Sequence, residues 1–216
     1  MSSNHKLVAW ISMHYRSCQV IELVSLGLIF TAQAQSRYAP VASQASKPAA
    51  KPSDDAQLYR NSTFGFRYQI PYGWVDRTQQ MQAGTEAGKA EVLLAAFERP
   101  PQATGDTVNS AVVIASESAA SYPGLKQAQD YLGPLTELAT AKGFKAEGEP
   151  YALEVESRHL FRADFIKPLR DNDKSKLTMH QCTLVLLTKG HLVSFTFIAG
   201  SEDDLDDLMD ALHFTN

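Results

Sequence analysis

The chain has 216 residues, 44% of them hydrophobic, and carries 20 Lys/Arg against 24 Asp/Glu. Five of the basic and three of the acidic residues precede Leu58, which leaves 15 basic against 21 acidic side chains in residues 58–216. That acidic balance excludes the basic face needed to bind nucleic-acid phosphates, and it excludes electrostatic docking on anionic lipid.

Residues 20–30 (VIELVSLGLIF) form a short apolar run, and Ala32-Gln33-Ala34 follows with small residues where a signal peptidase reads. The run is far shorter than the roughly 20 residues a membrane span needs. Residues 1–34 therefore read as a signal peptide cleaved after Ala34, with Met13 as an alternative start, and the protein is expected outside the cytoplasm, periplasmic or extracellular. No membrane insertion is expected after cleavage. Residues 35–57 are rich in Ala, Ser, Pro and Lys without apolar periodicity. Such a segment buries too little surface to offset its ordering entropy and reads as a disordered linker. Residues 58–216 then form one domain.

Phe64, Phe66, Tyr68 and Ile70 alternate with polar or small residues, the period of a half-buried strand. Pro71 stops the strand, Gly73 permits a bend, and Trp74-Val75 restarts the apolar pattern. The expected product is a sheet-starting hairpin. A polar stretch over 78–88 follows. Strands are expected at Glu91–Phe97 and Ala111–Ala115, and a helix over 125–142 that Gly133-Pro134 kinks or splits and Gly143 closes. Further strands are expected at Tyr151–Val155 and His159–Ile166, with a polar turn at Leu169–Lys174. Leu177–Leu187 should pair with His191–Ala199 through Lys189-Gly190. With Thr188 opposite His191, Leu184 faces Phe195, Leu186 faces Val193 and Cys182 faces Phe197. This hairpin is apolar on both faces and wants cover on both. Ser201 should cap a final helix, with Leu205, Leu208, Met209 and Leu212 on one face and Asp203, Asp206, Asp207 and Asp210 largely opposite. The order predicts an α+β fold, an antiparallel β-sheet flanked by helices in an α/β/α sandwich.

The element order, opened by Phe64-Gly65-Phe66-Arg67-Tyr68-Gln69-Ile70-Pro71-Tyr72-Gly73-Trp74 and closed by an acidic helix, resembles the PsbP-like and Mog-like superfamily across 58–216. The resemblance implies a non-enzymatic domain that docks on larger assemblies. It brings no catalytic motif and no functional residue.

The residues themselves point to chemistry only weakly. Ser116-Glu117-Ser118 follows a strand but lacks the glycines of a nucleophile elbow. His180 and Cys182 share a strand face. If Ile166 pairs with Lys176, His159 lies beside Thr183 on the other face, and His191 sits at the turn, so no metal site forms among them. Cys182 reads as a buried, inert thiol. The aspartates of the last helix lack the glycine-turned loop of a calcium site and read as a solvated face or as a match for a basic partner. No catalytic residue, metal or cofactor is expected. Tyr68, Tyr72 and Trp74 are the candidate interface, on the loop most suited to contact. The leading expectation is an exported binding domain acting on an unidentified envelope or secreted protein. A periplasmic small-ligand or metal-binding protein comes second and a hydrolase third.

Overall fold

The computed structural model describes residues 58–83, 90–100, 103, 105–172 and 175–215. The expected signal peptide (1–34) and linker (35–57) lie outside the described residues. An antiparallel sheet of eight strands forms the centre, in the order β3 (Val75–Asp76), β4 (Ala90–Phe97), β5 (Ala111–Ser118), β10 (His191–Ala199), β9 (Ser175–Thr188), β8 (Arg158–Asn172) and β6 (Lys145–Ala146). Strand β7 (Tyr151–Val155) also pairs with β8. A second sheet has three strands, β1 (Leu58–Asn61), β2 (Phe66–Gln69) and β11 (Leu212–Phe214), with β2 in the middle.

The β9–β10 hairpin has the expected register: His191 opposes Thr188, Phe195 opposes Leu184, and Phe197 opposes Cys182. Lys189 and Gly190 have φ of 50° and 75°, the paired left-handed conformation whose twist suits a two-residue hairpin loop. Apolar residues leave both faces of this hairpin, so the sheet has two cores. On one face Val185 and Ile198 meet Tyr131, Leu132, Leu135 and Ala139 of α2 (Gln129–Ala141). On the other, Leu184, Phe195 and Phe197 meet Phe66, Tyr68 and Phe214 of the small sheet, with Leu205 and Leu208 of α3 (Glu202–Asp210). The fold is α+β, an antiparallel sheet flanked by helices, and the second cover is a helix and a small sheet side by side.

Several local expectations are corrected. The stretch around Pro71 is not a hairpin: β2 pairs with β1 and β11, whereas β3 pairs with β4 in the large sheet. Pro71 to Trp74 carries the chain from one layer to the other, with Gly73 at φ 81° and the Trp74 amide donating to the Pro71 carbonyl (3.3 Å). Residues 78–83 form a short helix, α1 (Thr78–Ala83). Its Thr78 hydroxyl and Gln82 carboxamide accept the Ala95 and Val92 amides and so cover the thinly paired side of β4.

The helix expected over 125–142 starts at Gln129, because the Asp130 carboxylate accepts the Lys126 and Gln127 amides and holds those residues in a turn. Pro134 does not split it. The lost bond lies in the second turn, and four buried side chains seat the helix on the sheet. A Schellman motif closes it as expected, with the Gly143 amide on Thr140 and the Phe144 amide on Ala139. The last helix stops at Asp210, and Leu212 is buried in β11, opposite Tyr68.

Strand β8 continues to Asn172 and β9 begins at Ser175, within and just beyond the expected polar turn, so Ile166 opposes His180 and not Lys176. A register shift between Pro168 and Arg170 accommodates the proline, which has no amide to give to the ladder. The displacement is four residues, an even number, so each side chain keeps its expected face.

Candidate functional site

The interlayer turn sets the candidate interface. Its tip, Tyr72, is 80% exposed, a large value for an aromatic side chain. Trp74 is half-buried against the core under the small sheet. Tyr68 belongs elsewhere: it is 0% exposed, and its hydroxyl donates to the Leu208 carbonyl (3.1 Å). Burial pushes its phenol far above the ordinary value. Tyr68 therefore ties β2 to α3 and offers no surface to a partner. Of the three aromatics expected to act together, the structure leaves Tyr72 and Trp74.

Beside the turn lies an open groove of about 670 Å³. Pro71, Trp74 and Leu208 give it apolar walls, and Glu98, Asp204 and Asp207 bring acidic groups to it. Ser201 caps α3 as expected: its hydroxyl accepts the Asp204 amide (3.2 Å) and donates to the Asp204 carboxylate (2.6 Å). The cap fixes where the exposed acids of α3 stand. Asp204 and Asp207 turn toward the groove, while Glu202 and Asp206 line a second hollow of about 430 Å³. Glu147, Arg162, Asp164 and His180 also line that hollow. Arg162 Nε donates to both carboxylate oxygens of Asp164 at 2.9 Å. The helix α3 is thus a ridge between an apolar groove with acidic groups and a polar hollow.

The other sequence candidates separate. His191 stands at the β9–β10 turn with Nδ1 3.1 Å from the Lys189 carbonyl, and His159 opposes Glu154 across β7–β8. Neither meets His180. Cys182 is 0% exposed, and burial pushes its thiol far up, which suppresses the reactive thiolate. Ser116 and Glu117 are buried in β5. The Glu117 carboxylate accepts the Tyr131 hydroxyl (2.8 Å) and the Tyr122 hydroxyl, which ties the β5–α2 connection to the sheet. Glu147 and Glu202, which the structure brings to His180, were not singled out from sequence. They sit at element ends, so no periodicity marks them.

Among the described residues no helix is long and apolar enough to cross a membrane. No family model matches the chain, and no curated protein matches it in sequence. Among solved structures the chain is similar to cyanobacterial PsbP from Synechocystis, at 15% identity and a TM-score of 0.45, covering 73% of this chain and 91% of that one. It is also similar to LpqN of Mycobacterium tuberculosis, a protein involved in cell envelope biogenesis, at 13% identity and a TM-score of 0.36, covering 70% of this chain and 83% of that one. A third is a Pseudomonas aeruginosa protein of unknown function described as a putative regulator, at 17% identity and a TM-score of 0.35, covering 71% and 88%.

Proposed function

We propose that this chain is an exported, non-enzymatic binding domain that docks on another protein of the envelope or the exterior, and that the Pro71–Trp74 turn with its adjoining groove is the contact surface. The observation that carries the reading is Tyr72, an 80% exposed aromatic at the tip of a turn whose Trp74 lines an apolar groove. Aromatic anchors beside a partly apolar hollow are what interface hot spots are made of. Glu98, Asp204 and Asp207 match a partner whose contacting segment is basic, and such a match raises the rate of encounter more than the affinity.

Affinity capture of the mature protein from its own envelope and medium, with gentle crosslinking, tests this. One protein should be recovered in near-equal amount, lost with Tyr72→Ala plus Trp74→Ala, and weakened by salt. Equal recovery with that double variant, shown to be folded, would overturn the proposed surface.

A further inference from the structure

The polar hollow on the far side of α3 gathers three metal-ligating side chains from stretches distant in sequence. Glu147 follows β6, His180 lies in β9, and Glu202 opens α3. One ligand atom from each lies within 4.8 Å of the other two. Two ligands of a single tetrahedral ion, each about 2.1 Å from it, stand about 3.4 Å apart. The remaining gap is within the reach of rotamer changes in two exposed glutamates. The backbone beneath them is held. The Glu147 amide donates to the Asp164 carbonyl (2.8 Å), His180 sits between Ile166 and Ala199 in the sheet, and Glu202 follows the Ser201 cap.

Charge and ligand type narrow the occupant. Asp164 and Asp206 add to Glu147 and Glu202 around the hollow, while its guanidinium, Arg162, is already engaged by Asp164. The N-terminus of α3 carries partial positive charge, but Glu202, Asp203 and Asp204 in its first turn outweigh it. An imidazole beside two carboxylates separates this hollow from an ordinary acidic patch, because calcium and magnesium take oxygen ligands, whereas imidazole suits zinc and its neighbours.

We propose that Glu147, His180 and Glu202 bind a divalent transition-metal ion, with zinc the best match and a fourth position left to water. The ion would clip the segment after β6 and the start of α3 to the central sheet. This site is separate from the docking groove and stands or falls independently of it.

The test is calorimetric titration of the untagged full chain with zinc chloride, paired with the absorption spectrum of its cobalt(II) form. One saturable ion per chain is expected, with the visible bands of a nitrogen and oxygen environment and a rise in melting temperature on loading. Even outer-shell partners of a metal are worth about tenfold or more in affinity, so His180→Ala and Glu147→Gln should each cost at least that. Glu202→Gln should weaken binding while leaving the Ser201 cap in place, and His159→Ala should change nothing. Circular dichroism establishes that each variant is folded. Absence of saturable binding, binding unchanged by His180→Ala, or a cobalt spectrum with thiolate charge-transfer bands would each overturn the assignment.

Discussion

Tyr68 and Tyr72 lie four residues apart, and the structure gives them opposite work. Tyr68→Phe deletes only a hydroxyl, yet that hydroxyl is the buried donor to the Leu208 carbonyl. A net hydrogen bond is worth about 0.5–1.5 kcal/mol, and leaving a buried acceptor short of its partner costs about 1–3 kcal/mol. A loss of about 1–2 kcal/mol follows, or roughly 2–8 °C in melting temperature for a domain of this size. Tyr68→Ala also removes a ring packed near Phe197 (centroids 6.1 Å apart), so its cost rises to about 3–5 kcal/mol, a large part of a domain's typical stability. Tyr72→Ala removes a far larger group than Tyr68→Phe does, but from solvent, and should stay within about 0.5 kcal/mol of the parent. Urea unfolding followed by tryptophan fluorescence measures all three, with a shifted midpoint and an unchanged slope marking a true stability change. Partner capture should show the reverse order, with Tyr68→Phe bound normally and Tyr72→Ala impaired. If Tyr72→Ala destabilises more than Tyr68→Phe, or if Tyr68→Phe abolishes capture while folded, the division of labour is wrong.

Other consequences are separable. Cys182 should resist thiol reagents in the native protein and react at the rate of unfolding in urea; fast native labelling would contradict its burial. Glu156 accepts the Phe214 amide and approaches His213, contacts that hold its carboxyl below the ordinary 4.5. The folded state therefore binds this proton more weakly than the unfolded one, so the contribution is full above pH 4.5 and fades as pH falls through the lower folded value. Glu156→Gln should melt earlier than the parent at pH 7, and the gap should narrow at pH 3; a gap that widens with acid refutes the sign. Tyr131→Phe, which takes a donor from buried Glu117, should cost about 1.5–3 kcal/mol in chemical denaturation, and a cost near zero would show that the carboxylate does not depend on it.

A Lys-Gly turn was enough to place the β9–β10 hairpin residue by residue, because a two-residue loop fixes which residues of the two strands face each other. The β8–β9 register was less legible. Polar residues at the end of a ladder look like a turn in sequence, and Pro168 reinforces that reading. Leu212 fits helical spacing from Leu205 as well as it fits strand β11, and only its pairing with Tyr68 decides. Grouping Tyr68 with Tyr72 and Trp74 followed residue type. The alternation with Phe64 and Phe66 already put Tyr68 on a buried face. The meeting of Glu147, His180 and Glu202 depends on which strands become neighbours, and local pattern does not carry that information.

The most direct test of the docking account places a photoreactive phenylalanine analogue at Tyr72 in the protein made by its own cells, with Glu137, an exposed residue of α2, as the control position. Illumination should yield one discrete crosslinked protein from position 72, and none from position 137. A crosslink pattern shared by both positions, or no adduct from position 72 in a folded and correctly located protein, would contradict docking through this turn.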